Sequence, residues 1–180
     1  MLLALSGQAA AEVRLPAVFS DHMVLQRDKP VKVWGWAEPG EKIRVSLSGR
    51  TADAVASPAG GWSLELPAMA AGGPHKMTVA AKNTLKVRDI LVGEVWLASG
   101  QSNMEFELKH AGNAGHEIKS ANYPQIRLLL VPRTAEGLPR DDLNARWSVC
   151  APDNPAVADF SAVAYFFGRE IHRAIGVPVG

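Results

Sequence analysis

The stretch Ser99-Gly100-Gln101-Ser102-Asn103-Met104-Glu105 is where this chain offers a reactive group in a setting that could use it. A nearly continuous apolar run, Ile90, Leu91, Val92, Val95, Trp96, Leu97 and Ala98, leads into it. Such a run has the pattern of a strand buried on both faces of a parallel sheet. Glycine and small polar residues then permit a sharp turn, and Glu105 favours the first turn of a following helix. Ligands of open α/β sheets gather beyond the carboxyl ends of strands. Ser102 therefore stands where a base can activate a hydroxyl while an amide N–H of the same turn meets a developing oxyanion. A capping or loop serine is the alternative at this position. Met104 stands where the nucleophile elbow Gly-x-Ser-x-Gly needs glycine, which argues against an ordinary α/β-hydrolase. Neither Gly-x-x-x-x-Gly-Lys nor Gly-x-Gly-x-x-Gly occurs, so the turn is not a phosphate loop.

A serine nucleophile needs a base, and the five histidines are His22, His75, His110, His116 and His172. None has Asp three residues earlier. Glu107 precedes His110 by three, but both follow Ser102 so closely that they are expected to face away from it as a surface pair. Cys150 is the single cysteine. It excludes an intramolecular disulfide, makes a poor metal ligand and is expected as a small buried hydrophobe. With 19 basic against 18 acidic residues the formal charge is +1, which gives no electrostatic ground for a nucleic-acid partner. No apolar run reaches the length of about 18 residues that a membrane span needs.

The elements that must position the serine divide the 180 residues into three parts. Met1 to Ala11 is uncharged, opens on Leu2-Leu3-Ala4-Leu5 and ends on alanines, like a signal peptide truncated at its start; an exported protein is expected. Residues 12–87 alternate in short strands bounded by Gly and Pro, with no period of 3.6 residues, and are expected to form an antiparallel β-sandwich. Val31 to Trp36 should pair with Ile43 to Leu47 across Pro39-Gly40, and Trp62 to Leu66 with Met77 to Ala81. Trp34, Trp36 and Trp62 could form an aromatic sugar platform, although tryptophans of a small β domain more often fill its core. In residues 88–180 the strand, turn and serine are followed by a loop-rich stretch from Lys109 to Arg146 with one strand candidate, Ile126 to Val131. Val163, Phe166, Phe167, Ile171 and Ile175 then share one helical stripe, with Asp159 or Ser161 to cap it and Gly176 and Pro178 to stop it. Val177-Pro178-Val179-Gly180 reads as the opening of a parallel strand, so this second domain is expected to be incomplete.

Several phrases, in this order, resemble the sialate O-acetylesterase family, a branch of the SGNH (GDSL-like) hydrolases in which Gln replaces the Asp of Gly-Asp-Ser. They are Phe19-Ser20-Asp21-His22-Met23-Val24-Leu25-Gln26-Arg27, Val33-Trp34-Gly35-Trp36-Ala37, Gly61-Trp62-Ser63-Leu64-Glu65-Leu66-Pro67, Leu91-Val92-Gly93-Glu94-Val95-Trp96-Leu97 with Gly100-Gln101-Ser102-Asn103-Met104, Trp147-Ser148-Val149-Cys150, and Phe160 to Glu170. The resemblance implies a β-sandwich followed by a truncated SGNH α/β/α three-layer, flavodoxin-like domain. It implies hydrolysis of an O-acetyl ester on sialic acid or another sugar, without metal or organic cofactor, through an acetyl-enzyme on Ser102. The backbone N–H of Ser102 would be one oxyanion donor. The family's other donors, a Gly and an Asn, and its base, a His in Asp-x-x-His, belong to blocks this chain does not contain, so the chain alone should be inactive. Glu94, Gln101 and Asn103 are candidates to orient the serine turn or contact sugar; a structural role is equally open for each. The rival reading is a carbohydrate-binding β-sandwich module beside a vestigial hydrolase portion.

Overall fold

A computed structural model describes residues 12–135, 137–152 and 154–180. The signal-like stretch Met1 to Ala11 lies outside them. The strands are β1 (Val24–Gln26), β2 (Val31–Trp36), β3 (Lys42–Leu47), β4 (Arg50–Val55), β5 (Gly61–Leu66), β6 (Gly72–Ala80), β7 (Thr84–Gly93), β8 (Tyr123–Leu129) and β9 (Trp147–Cys150). The helices are α1 (Ser102–Glu105), α2 (Ala114–Ser120), α3 (Pro155–Asp159) and α4 (Ala162–Ile175).

β1, β7, β6, β3 and β4 form one sheet in that order, and β2 pairs with β5 in a second. The alternation works as read: Val31 and Val33 of β2, Ile43, Val45 and Leu47 of β3, and Trp62, Leu64 and Leu66 of β5 all point into one core. The expected partners do not. β2 is antiparallel to β5, whereas β3 runs between β4 and β6. A period of two tells which side chains are buried, and it is silent on which strand takes the hydrogen bonds. Pro39-Gly40 thus carries the chain from one sheet to the other, and the tight hairpin is instead β3–β4. Its turn residues Ser48 and Gly49 both have positive φ, 47° and 81°, as two-residue hairpins demand. The larger sheet is also mixed rather than purely antiparallel, because β1 lies parallel to β7.

β7 runs unbroken through the junction expected between residues 87 and 88. What sits there is a bulge: Met77 pairs with Val87 and His75 with Ile90, so β7 holds one more residue than β6, and Asp89 takes a φ of 52°. Bulges re-aim side chains, and this one turns Asp89 toward the rest of the chain. The two parts interlock elsewhere as well, since Trp147 of β9 enters the first core and donates its Nε1–H to the Val18 carbonyl at 2.9 Å.

A second core gathers Leu108, Ile126, Leu128, Cys150, Val157 and Tyr165. Cys150 is fully buried, and burial pushes its thiol up to about 11. α4 starts where Ser161 Oγ accepts the Ala164 N–H at 3.3 Å and stops at Gly176, whose φ is 65°. The face of α4 that is buried is Ala162, Tyr165 and Gly168. Val163, Phe167 and Ile175 from the expected stripe remain exposed, so the helix turns a different flank inward. α2 and β9 arise in stretches whose glycines and short apolar runs gave no periodic signal. Among the described residues no helix is long and apolar enough to cross a membrane.

After α4 the chain returns as a short central strand. Val179 bridges Glu94 on one side and Ile126 on the other, both in parallel. Glu94 and Gly180 exchange with their neighbours through Glu94 N–H to Pro178 O at 2.9 Å, Gly180 N–H to Glu94 O at 2.8 Å and Trp96 N–H to Gly180 O at 2.9 Å. Gly93 permits this approach, because a Cβ there would lie 1.9 Å from the Pro178 carbonyl oxygen. Gly93→Ala is expected to cost about 3 kcal/mol in urea unfolding, the upper end for overpacking a tight site. Gly112→Ala, where a Cβ meets nothing within 4 Å, serves as the neutral control.

Candidate functional site

The segment that presents Ser102 is held from both sides before it turns. Gln26 Oε1 accepts the Val95 N–H at 2.9 Å. The same amide donates through Nε2 to Glu94 at 3.2 Å, and Arg27 Nε donates to Glu94 at 2.6 Å. The Arg27 guanidinium, helped by the Gln26 amide, holds the Glu94 carboxyl below the usual carboxylate range. Glu94 is therefore an anchored anion that ties the serine segment to β1. The structure brings Gln26 and Arg27 to it from a distant phrase of the sequence, and only their presence in a shared family phrase hinted at a role.

Beyond Glu94 the regular strand ends. Val95, Trp96 and Leu97 are exposed, Leu97 by 89%, so the expected buried strand through Ala98 stops early. Among the described residues its backbone partner beyond Glu94 is Gly180, and a strand with so little flanking backbone leaves its apolar side chains in solvent. The turn itself is tight: a Cβ on Gly100 would lie 2.6 Å from Met104 Cγ. Gln101 is the residue before α1, and the Met104 N–H returns to its carbonyl at 2.8 Å. Ser102 is the first residue of α1. It is exposed, as are Gln101 and Asn103, and among the described residues its hydroxyl has no side-chain hydrogen bond. α1 is steadied from behind, where Ala162 N–H donates to Phe106 O and Leu108 N–H to Phe160 O, each at 2.8 Å.

Glu107 and His110 form a surface ion pair, His110 Nε2 to Glu107 Oε2 at 3.2 Å. Lys109 takes the same carboxylate at 2.9 Å and also Asp159 at 2.8 Å. That network belongs to the protein surface and makes no bond to Ser102.

One charged cluster was not singled out from the sequence. Arg127 of β8, only 5% exposed, grips both oxygens of Asp89 at 2.7 and 3.2 Å. It also donates to the carbonyls of His22 and Pro124, and His22 Nδ1 lies 2.7 Å from Asp89 Oδ2, the oxygen that Arg127 Nη1 also takes. Arg127, above all, and His22 hold the Asp89 carboxyl below its usual range. The bulge in β7 aims Asp89 at β8, which the short strand at 178–180 separates from the segment that presents the serine.

No family model matches the chain. Sialate O-acetylesterase of Mus musculus is 31% identical over 194 residues, covering 97% of this chain and 36% of that protein. The Pongo abelii enzyme of the same name is 32% identical over 199 residues, covering 100% and 38%. The crystal structure of a carbohydrate acetylesterase from Xanthomonas citri superposes with a TM-score of 0.90 at 42% identity, over 93% of this chain and 39% of that one. The likeness in sequence extends over nearly the whole chain, and the likeness in fold over 93% of it. Spanning somewhat over a third of the relatives' length, the chain belongs to the sialate O-acetylesterase family of carbohydrate esterases.

Proposed function

We propose that this chain supplies the nucleophile segment of an exported serine esterase that removes acetyl groups from acetylated carbohydrates, sialic acid or a plant-wall polysaccharide among them. The observation that carries the reading is Ser102, exposed at a tight strand-to-helix turn with no side-chain hydrogen bond to its hydroxyl among the described residues, in a chain whose relatives bear esterase names. Ser102 Oγ attacks the acetyl carbonyl carbon, and a base takes the hydroxyl proton. The tetrahedral oxyanion is met by the Ser102 backbone N–H, collapse expels the sugar hydroxyl with the proton returned by the base, and water then releases acetate from the acetyl-enzyme. Residues 12–87 serve as the β domain and residues 88–180 as the first part of an SGNH domain. The bare apolar flank of α4, with Trp96 edge-on to Phe167 at 5.1 Å, supports more protein packing there.

The full-length polypeptide is expected to release acetate from acetylated xylo-oligosaccharides or from O-acetylated sialic acid, read by coupled acetate assay. Release from neither would overturn the proposal. The 180-residue chain alone is expected to turn over p-nitrophenyl acetate negligibly, because no histidine in it follows an Asp-x-x spacing and a serine without its base stays a weak nucleophile. Robust turnover by the purified chain would return Glu107 and His110 to consideration.

A further inference from the structure

The outer face of the β2–β5 pair carries a pocket with no role in positioning Ser102. Trp34 and Trp36 stand on this face, opposite Ser63 and Gly61 in the strand register. Two strand residues on one face are about 6.6 Å apart along the chain, which sets the two tryptophans side by side, and the residues facing them are small. The pocket has a volume of about 280 Å³, near the lower bound of about 300 Å³ for small-molecule sites. Asp141 closes one side and is the single titratable side chain lining it among the described residues. Its loop is pinned, since Asp142 accepts the Ala17 N–H at 2.7 Å. Trp34 is braced edge-on by Phe19 at 4.6 Å and Trp36 by the Arg14 guanidinium at 5.3 Å from its ring centre. Trp62 also lines the pocket. It is 5% exposed and its indole belongs to the core side of β5, where its Nε1–H has no partner among the described residues.

We infer that this pocket binds a ring of a neutral glycan chain. Aromatic faces carry partial negative charge and attract the weakly positive C–H faces of a pyranose. A carboxylate at the rim accepts hydrogen bonds from sugar hydroxyls. The same carboxylate repels an acidic sugar. Arg14, the nearby cation, is stacked on Trp36. The inference concerns binding and holds whether or not Ser102 is the nucleophile.

The test is isothermal titration of the 180-residue chain with xylohexaose, cellohexaose and sialyllactose. Saturable binding of at least one neutral hexasaccharide is expected, weakened about tenfold or more by Trp36→Ala, as loss of an aromatic contact implies. Ser63 is exposed, so Ser63→Arg keeps the core intact and should block the pocket to the same degree; circular dichroism confirms folding of both variants. Sialyllactose should bind at least about tenfold more weakly, a gap near 1.4 kcal/mol. No binding of either neutral sugar, unchanged binding by folded Ser63→Arg, or equal binding of sialyllactose would each overturn the inference.

Discussion

On the proposed mechanism, Ser102→Ala is expected to abolish acetate release by the full-length polypeptide, lowering kcat/KM by about a thousandfold or more. The size of the effect follows from the chemistry: without the hydroxyl no acetyl-enzyme forms, and only whatever the remaining site does to water is left. The structure makes the substitution a clean one. Ser102 is exposed, sits at the first position of a four-residue helix, and among the described residues lends its hydroxyl to no side-chain bond. Alanine is also the best helix former. The urea midpoint should therefore stay within about 0.5 kcal/mol of wild type, as for surface changes generally. Wild-type rates in the variant would sink the nucleophile assignment, and a large loss of stability would instead assign the residue a structural role.

The second large effect is on stability. Asp89→Ala strips Arg127 of its bidentate partner while leaving a guanidinium only 5% exposed. Breaking one half of a buried pair typically costs about 3–5 kcal/mol. Since the Asp89 side chain is about one-third exposed (35%), a loss of about 2–4 kcal/mol is expected at pH 7. Arg127→Met should cost less, because it removes the stranded charge together with the pair and keeps an apolar stem of similar length. The pH dependence has a fixed sign. Asp89 titrates lower in the folded chain than in the unfolded one, so its contribution is complete above about pH 4, the ordinary carboxylate value, and fades as pH falls through the lower folded value. Urea unfolding at pH 7 and pH 3 should show the wild type losing stability toward acid and Asp89→Ala losing less of it. Equal acid sensitivity in the two would remove Asp89 as the cause.

Much of this was legible beforehand, and particular residues show why. Alternation at Val31, Val33, Ile43, Val45 and Leu47 reports burial directly, and burial came out as read. Ser161 and Gly176 carry their own backbone chemistry and bounded α4 correctly. The turn at Ser102 could be placed because glycine and small polar residues interrupt an apolar run. Pairing was not legible, since β2 and β3 have equal claims on any neighbour with a matching face, and the distribution of strands between two sheets is settled by the whole core. Arg127 was hidden for a related reason. A lone arginine in an apolar strand announces nothing until a bulge 38 residues earlier delivers a carboxylate to it. Helical periodicity identified the apolar stripe of α4 but could not say what lies against it, and part of that stripe is exposed.

The short strand at residues 178–180 has a consequence for the order of events during synthesis. The edge of Glu94 and Trp96 is satisfied by Pro178 and Gly180, partners that leave the ribosome more than eighty residues later. At about 5–20 residues per second, that interval lasts roughly 4–17 seconds, long on the scale of about 1–10 microseconds for hairpins such as β3–β4. The β sheets can mature during the wait, while the serine turn hangs from a strand whose far edge is unpaired. The Ser102 segment is thus among the last parts of the chain to acquire its final register.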